Sequence, residues 1–352
     1  MPAHPTPAVS AKPRPAVPAP PPEKAFRIES EQGRNRAVVA AGVVLDSKLL
    51  TALAGAGGLH EVDVVATDAA LLKVVPVIRR FPQVTVRFAC GEWQPGRVTF
   101  NERATVDDLR AVASMREVRR LDLAACRVGD SELVELDRMI GLESLALPLA
   151  TSDGIAPTLV RMRSLRDLSL QATRVTAAGL ATLPRGLRSL DLSGTSIGDG
   201  GVEHLRRLPG LKELWLDETS VGDKALGVIS TRTTIEVLGL TGTAVTSGGL
   251  KHLVGLEKLT ELHLGDTVID DRALGLLIAM SQLKRLDVTD TDLSVAARKQ
   301  LVEALRTCDV QVDVDALVKA LDDSGGADGA GPVPHCTGQA GSGRRREVSE
   351  HF

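Results

Sequence analysis

From Leu187 the chain reads L-R-S-L-D-L-S-G-T-S-I-G-D-G-G-V, from Leu211 L-K-E-L-W-L-D-E-T-S-V-G-D-K-A-L, from Ile235 I-E-V-L-G-L-T-G-T-A-V-T-S-G-G-L, and at Leu259 it starts again. One pattern, L-x-x-L-x-L-x-x-T-x-[IV]-x-[DS]-x-x-[LV], recurs every 24 residues across this stretch. A fixed period of this length is the mark of a solenoid, whose units bury their apolar faces only by stacking on one another.

Working outward, the units start at Val118, Leu142, Leu165, Leu187, Leu211, Ile235, Leu259 and Leu283. The L-x-x-L-x-L half alternates as a strand does, which points its leucines into the stack. The second half has helical spacing, with Val202, Leu205 and Leu208 in one unit and Leu250, Leu253 and Leu256 in another. Asp199, Asp223, Ser247 and Asp271 stand three residues before the first apolar helical position, where a side-chain oxygen is expected to cap its own helix. Gly210 and Gly255 fall where those helices must end. Position nine is Thr173, Thr195, Thr219, Thr243, Thr267 and Thr291, with Cys126 in the first regular unit. The chain leaves the strand there, so a small hydroxyl is expected to bond its own and the neighbouring turn: a structural ladder, not a row of nucleophiles.

These units resemble the ribonuclease-inhibitor-like class of leucine-rich repeats. They are most similar to its short cysteine-containing type, in which Cys or Asn stands where Thr stands here. The wording G-T-x-[IV]-x-D-x-G-[LV] at 194–202 and A-L-R-T-C-D-V at 304–310 is similar to the bacterial members. The resemblance covers 118–313 strongly and 59–117 weakly. It implies an α/β leucine-rich-repeat solenoid, a horseshoe with parallel strands on the concave face and short helices on the convex face. Function is not implied, because members bind unrelated partners.

The flanks are irregular. Residues 1–35 begin with a segment holding half of the 18 prolines and are expected to be a disordered Pro/Ala-rich tail. A proline-binding domain could find only loose PxxP matches in it. Residues 36–117 are expected to be degenerate repeats forming an N-terminal cap, since terminal units face water on one side. There Leu59-H-E-Val62-D-Val64 and Phe81-P-Q-Val84-T-Val86 keep the pattern, and G-E-W-Q-P-G at 91–96 reads as a turn between strands. The regular repeats and a C-terminal cap occupy 118–322, with a last strand around Val310 and Val312 and a closing helix over Ala316–Leu321. Residues 323–352 are expected to be a flexible Gly-rich tail in which Arg344–Arg346 is a solvated charge run.

Composition narrows the function. The net charge of −3 argues against general affinity for nucleic acid or anionic membrane. The N-terminus has no apolar core of a secretory signal, and the apolar run 37–45 is too short to span a bilayer, so a cytoplasmic location is expected. Cys90, Cys126, Cys308 and Cys336 show no metal or redox spacing and read as reduced, incidental thiols. No phosphate-binding loop follows any glycine run, and His263 has no Ser or Cys in a plausible triad position in its column. Neither an enzyme nor a cofactor or metal site is expected.

What differs between units is the set of outward side chains. The fifth column carries Asp122, Asp191, Trp215, His263 and Asp287, the third carries Glu213 and Glu261, and the seventh adds Asp217. The second column is mostly basic: Arg119, Arg166, Arg188, Lys212 and Lys284. The centre of the concave face therefore leans acidic beside a basic margin, and such charges can also simply pair across strands. Trp215 points outward in this phase, where it is either a contact residue or packed over its neighbours. The expected function is a non-catalytic protein–protein interaction scaffold that binds another protein or peptide through Trp215, Glu213, Asp217, Asp191, His263, Glu261 and Asp287. The alternative is a substrate-recognition subunit of a ubiquitin-ligase-like modification complex, which lacks an adaptor-binding box here. Oligomeric state is open.

Overall fold

A computed structural model describes residues 26–313, apart from 32–33, 41–42, 44, 57 and 65–70. The closing helix expected at 316–321 and both tails' outer segments lie outside the described residues. Fifteen strands form one open sheet in sequential order. In the regular part these are β7 (Arg120–Asp122), β8 (Ser144–Ala146), β9 (Asp167–Ser169), β10 (Ser189–Asp191), β11 (Glu213–Trp215), β12 (Val237–Gly239), β13 (Glu261–His263), β14 (Arg285–Asp287) and β15 (Asp309–Gln311), all parallel. Equivalent leucines stand in register, with Leu190, Leu214, Leu238, Leu262 and Leu286 side by side. From β7 to β14 each strand is followed by a short helix on the other side of the stack. This is an α/β leucine-rich-repeat solenoid.

The pattern leucines are the core: Leu190, Leu192, Leu238, Leu240, Leu262 and Leu264 are wholly buried. Truncating one to Ala costs about 2–5 kcal/mol in such a packed layer. The threonine column is buried too, and each hydroxyl donates to the carbonyl three residues back, as Thr195 to Leu192 at 2.6 Å and Thr243 to Leu240 at 2.6 Å. The bonds stay within the turn, and the expected second bond to the neighbouring unit is absent. Only Cys126 reaches across, to the Asn101 carbonyl at 3.6 Å. In the unit starting at Leu142 the buried place is taken one residue late by Thr151, after Pro148.

The capping residues do not act where the spacing places them. Asp199 accepts from the backbone N–H groups of Gly222 (2.7 Å) and Ala225 (3.2 Å), both in the next unit. Asp223 likewise binds Thr246 N–H and its hydroxyl, Asp271 binds Ser294 N–H, and Ser247 accepts from Asp270 N–H. The residue one place earlier caps its own helix where its side chain allows, as Thr246 does for Gly248 and Ser294 for Ala297. The reason is geometric. A residue already inside the first helical turn points its carboxylate along the stack, toward the free N–H groups of the next helix.

A second chain of links runs the same way. Position eight holds positive φ in unit after unit, at Ala172, Gly194, Glu218, Gly242, Asp266 and Asp290. Its N–H donates to the next unit, for example Gly194 to the Asp217 carbonyl and Glu218 to the Thr241 carbonyl, each 2.7 Å. At the last of these positions Asp290 N–H finds the side chain of Asp313 instead, at 3.1 Å. Asp313 also pairs with the buried Arg298 at 3.0 Å, so a carboxylate takes the last described link of this chain.

The N-terminal part departs from the expected plan twice. Phe26–Glu31 (β1) falls within the stretch assigned to the tail, yet it pairs antiparallel with β2 (Arg34–Val39). Phe26 and Ile28 stand opposite Val39 and Ala37, an alternation the proline-rich composition hid. Further on, β3 (Leu59–Asp63) and β4 (Thr85–Phe88) follow the repeat, but 91–96 is more than a turn. Gly91–Gln94 is a strand, β5, antiparallel to both β4 and β6 (Arg97–Phe100). Its Trp93 is 1% exposed and sits between Val86 and Val98. An indole delivered by a strand is thus part of the buried core.

Candidate functional site

The strand face brings the candidate residues together because parallel register repeats each position one strand along. Ser189, Glu213, Val237, Glu261 and Arg285 form one row, and Asp191, Trp215, Gly239, His263 and Asp287 the next. These rows differ sharply in exposure along their length.

Trp215 is half-buried, and its ring crosses Gly239 to meet His263, with ring centroids 5.2 Å apart and planes at 38°. Gly239 makes that crossing possible: a Cβ there would stand 2.5 Å from Cε3 of Trp215 and 2.8 Å from Oδ1 of Asp217. His263 Nε2 lies 2.8 Å from Oε1 of Glu261, and its Nδ1 is 3.9 Å from Oδ2 of Asp287. Arg285 closes on the other oxygen of Glu261. Glu261, His263 and Asp287 are 7%, 9% and 6% exposed, so this part of the row is an internally bonded network under the tryptophan. Burial raises the Glu261 carboxyl, but the His263 hydrogen bond and the His263 and Arg285 charges outweigh it and leave the pKa lowered. Asp287 follows the same balance, with burial against hydrogen bonds from His263 and Thr289, and is also lowered.

On the other side of Trp215 two carboxyls are shifted the opposite way. Asp191 accepts from Ser193 N–H at 2.9 Å and Ser169 Oγ at 3.3 Å, and burial together with the Asp217 charge raises its pKa. Asp167 is raised by burial and by the Glu213 charge. Glu213 accepts from Ser189 Oγ at 3.0 Å and Asp217 from Thr241 N–H at 2.8 Å. Of the basic margin, Arg188 offsets part of the charge at Asp167, without reversing its shift. Arg119 and Arg166 donate to carbonyls at unit ends, and Lys212 pairs with Glu236 at 2.7 Å.

The residues picked from the columns thus divide. Trp215, Glu213, Asp217 and Asp191 are half-buried and reach solvent; His263 meets the Trp215 ring, and Glu261 and Asp287 flank His263. Gly239, Arg285 and Thr289 belong to the arrangement and were not picked. The usable sign was a glycine directly after a tryptophan in one column, which marks where the ring lies down. Reactive chemistry finds little footing: burial pushes the Cys90 and Cys126 thiols up to about 12 and Cys308 to about 11. Among the described residues no cluster of His, Cys, Asp and Glu is placed to hold a metal ion, and no helix is long and apolar enough to cross a membrane.

Fold and face together define a leucine-rich-repeat protein with a continuous strand face. A family model described as "Leucine Rich repeat" matches residues 186–205. Among solved structures, the chain is similar to an internalin from Listeria monocytogenes, with TM-score 0.52 and 14% identity over 79% of this chain and 86% of that one. A second, internalin C2 from the same organism, gives TM-score 0.43 and 21% identity over 54% and 79%. At these identities the likeness is one of fold. No curated protein matches the chain.

Proposed function

We propose that the protein is a non-catalytic interaction scaffold whose concave strand face binds another protein or peptide by shape and charge complementarity. One observation carries the reading: Trp215 lies half-exposed at the centre of the face, its ring braced by Gly239 and His263, beside Glu213, Asp217 and Asp191. A braced aromatic loses little freedom on binding, and aromatic anchors of this kind dominate interface energies. Carboxylates that repel one another favour a partner that brings positive charge. The reading places the repeats in the ribonuclease-inhibitor-like, short cysteine-containing type, with 36–117 and the segment up to 322 as caps around them, in the cytoplasm, and without nucleic acid, membrane or cofactor as ligand.

The test is affinity capture with the wild-type chain, Trp215→Ala and Glu213→Lys as baits, at low and raised salt. A specific partner is expected to be lost by both variants, each costing about 2 kcal/mol or more, and to weaken with salt. A partner kept equally by all three baits would sink the concave-face reading.

A further inference from the structure

We propose that β1 joins two copies of this chain, pairing antiparallel with its own counterpart about a two-fold axis through Ile28. The sheet ends at β1, and among the described residues no strand lies on its outer side. Every second residue of such an edge points its N–H and C=O away from the sheet, ready to pair. Arg27, Ile28, Glu29 and Ser30 are all exposed, Ile28 at 43%. Yet Ile28 stands opposite Ala37, and cross-strand partners share a face, so it belongs to the layer in which Ala37 and Val39 are wholly buried. The apolar layer runs off the edge of the molecule at this residue.

The charges choose both the occupant and the register. Within one strand Arg27 and Glu29 pair with each other at 2.6 Å; placing Ile28 opposite the second copy's Ile28 sets Arg27 also opposite Glu29 of the other chain, and the reverse, so the two exposed pairs become four alternating charges on one face while two isoleucines meet on the other. An axis through Arg27 or Glu29 would instead set like charges against each other. Charged edge strands normally resist association; this one is complementary to itself. The far edge, β15, is only three residues, with Asp309 and Gln311 exposed, and offers no such match. A single strand edge buries less than the roughly 1,200 Å² of a stable interface, so the dimer is weak and concentration-dependent.

Sedimentation velocity on the full chain over a concentration series tests this. The wild-type mass is expected to rise toward twice the monomer and stop there. Arg27→Glu, at an exposed position, is expected to weaken the dimer about tenfold, and Arg27→Glu/Glu29→Arg to restore it. Ile28→Cys is expected to give a disulfide-linked dimer under mild oxidation, because directly opposed strand residues lie within bridging distance; wild type, with its own cysteines, is not. A chain that stays monomeric at high micromolar concentration overturns the proposal. So does a dimer indifferent to Arg27→Glu, a failure of Ile28→Cys to cross-link, or assemblies larger than a dimer.

Discussion

Asp199→Ala removes a side chain that sits in one repeat and serves the next. The Gly222 N–H loses its acceptor at 2.7 Å, whereas Ala225 N–H, 3.2 Å from Asp199, keeps a second bond to the Gly222 carbonyl at 3.1 Å. One donor is therefore orphaned, in a half-buried place that water reaches in part, and the expected loss is about 1.5 kcal/mol, within the range for lost caps. Asp199→Asn keeps an acceptor without the charge and is expected to cost about 0.5 kcal/mol. Urea unfolding should show both as falls in the midpoint at unchanged slope. Hydrogen exchange gives the sharper reading: protection should drop at Gly222 and Ala225, with Gly201 and Val202 in the residue's own helix unaffected. Loss of protection at 201–202 with 222–225 intact would refute the inter-repeat cap. So would an Asn variant as damaged as the Ala variant.

Three further outcomes follow from the ladder and the face. Glu218→Gly should raise stability by about 1 kcal/mol in urea unfolding, because Glu218 holds φ 55° where Gly194 and Gly242 hold the same column without a side chain. Thr243→Val keeps the shape but removes the 2.6 Å bond to the Leu240 carbonyl, and thermal unfolding should show a loss of about 1–3 kcal/mol; an unchanged melt would contradict the threonine ladder. Asp191 has a raised pKa, so its contribution to stability is full below the ordinary carboxylate range and lost as pH rises through the raised value. Asp191→Asn should thus stabilise the neutral-pH protein, whereas the lowered Glu261 and Asp287 give stability that is lost only as pH falls through their depressed values; unfolding measured across the acid range separates the two.

Much of this fold is written in a single unit. The leucines of L-x-x-L-x-L fix strand, face and register at once, because a parallel stack gives every unit the same neighbours. The threonine column was legible for the same reason. What escaped were relations between units: Asp199 has good spacing for its own helix, and only the stack shows that its carboxylate points forward. Trp93 escaped because G-E-W-Q-P-G is rich in turn residues, and a six-residue window gives no sign that its indole is buried on a strand. On the strand face, alternation told which side chains point outward. It could not tell that Glu261, His263, Arg285 and Asp287 bond to one another and recede, while Glu213, Asp217 and Asp191 stay half-buried. That distinction depends on side-chain reach across neighbouring strands, and no single repeat contains it.

The two forward-running ladders make the array indifferent to its own length. Most units from Leu165 onward receive like bonds from behind and offer like bonds ahead, and Asp313 takes the last bond of the described series. Removing residues 235–258, one full period, would join Asp223 to the turn at Asp270, whose N–H stands in the column of Thr246 N–H. Backbone bonding across the seam would be conserved, yet Gly239 would be gone and Trp215 would stand directly beside His263. Duplication or loss of a unit can thus redraw the surface offered to a partner while leaving the scaffold chemically intact, and recognition in such a chain can change by counting repeats as readily as by substituting side chains.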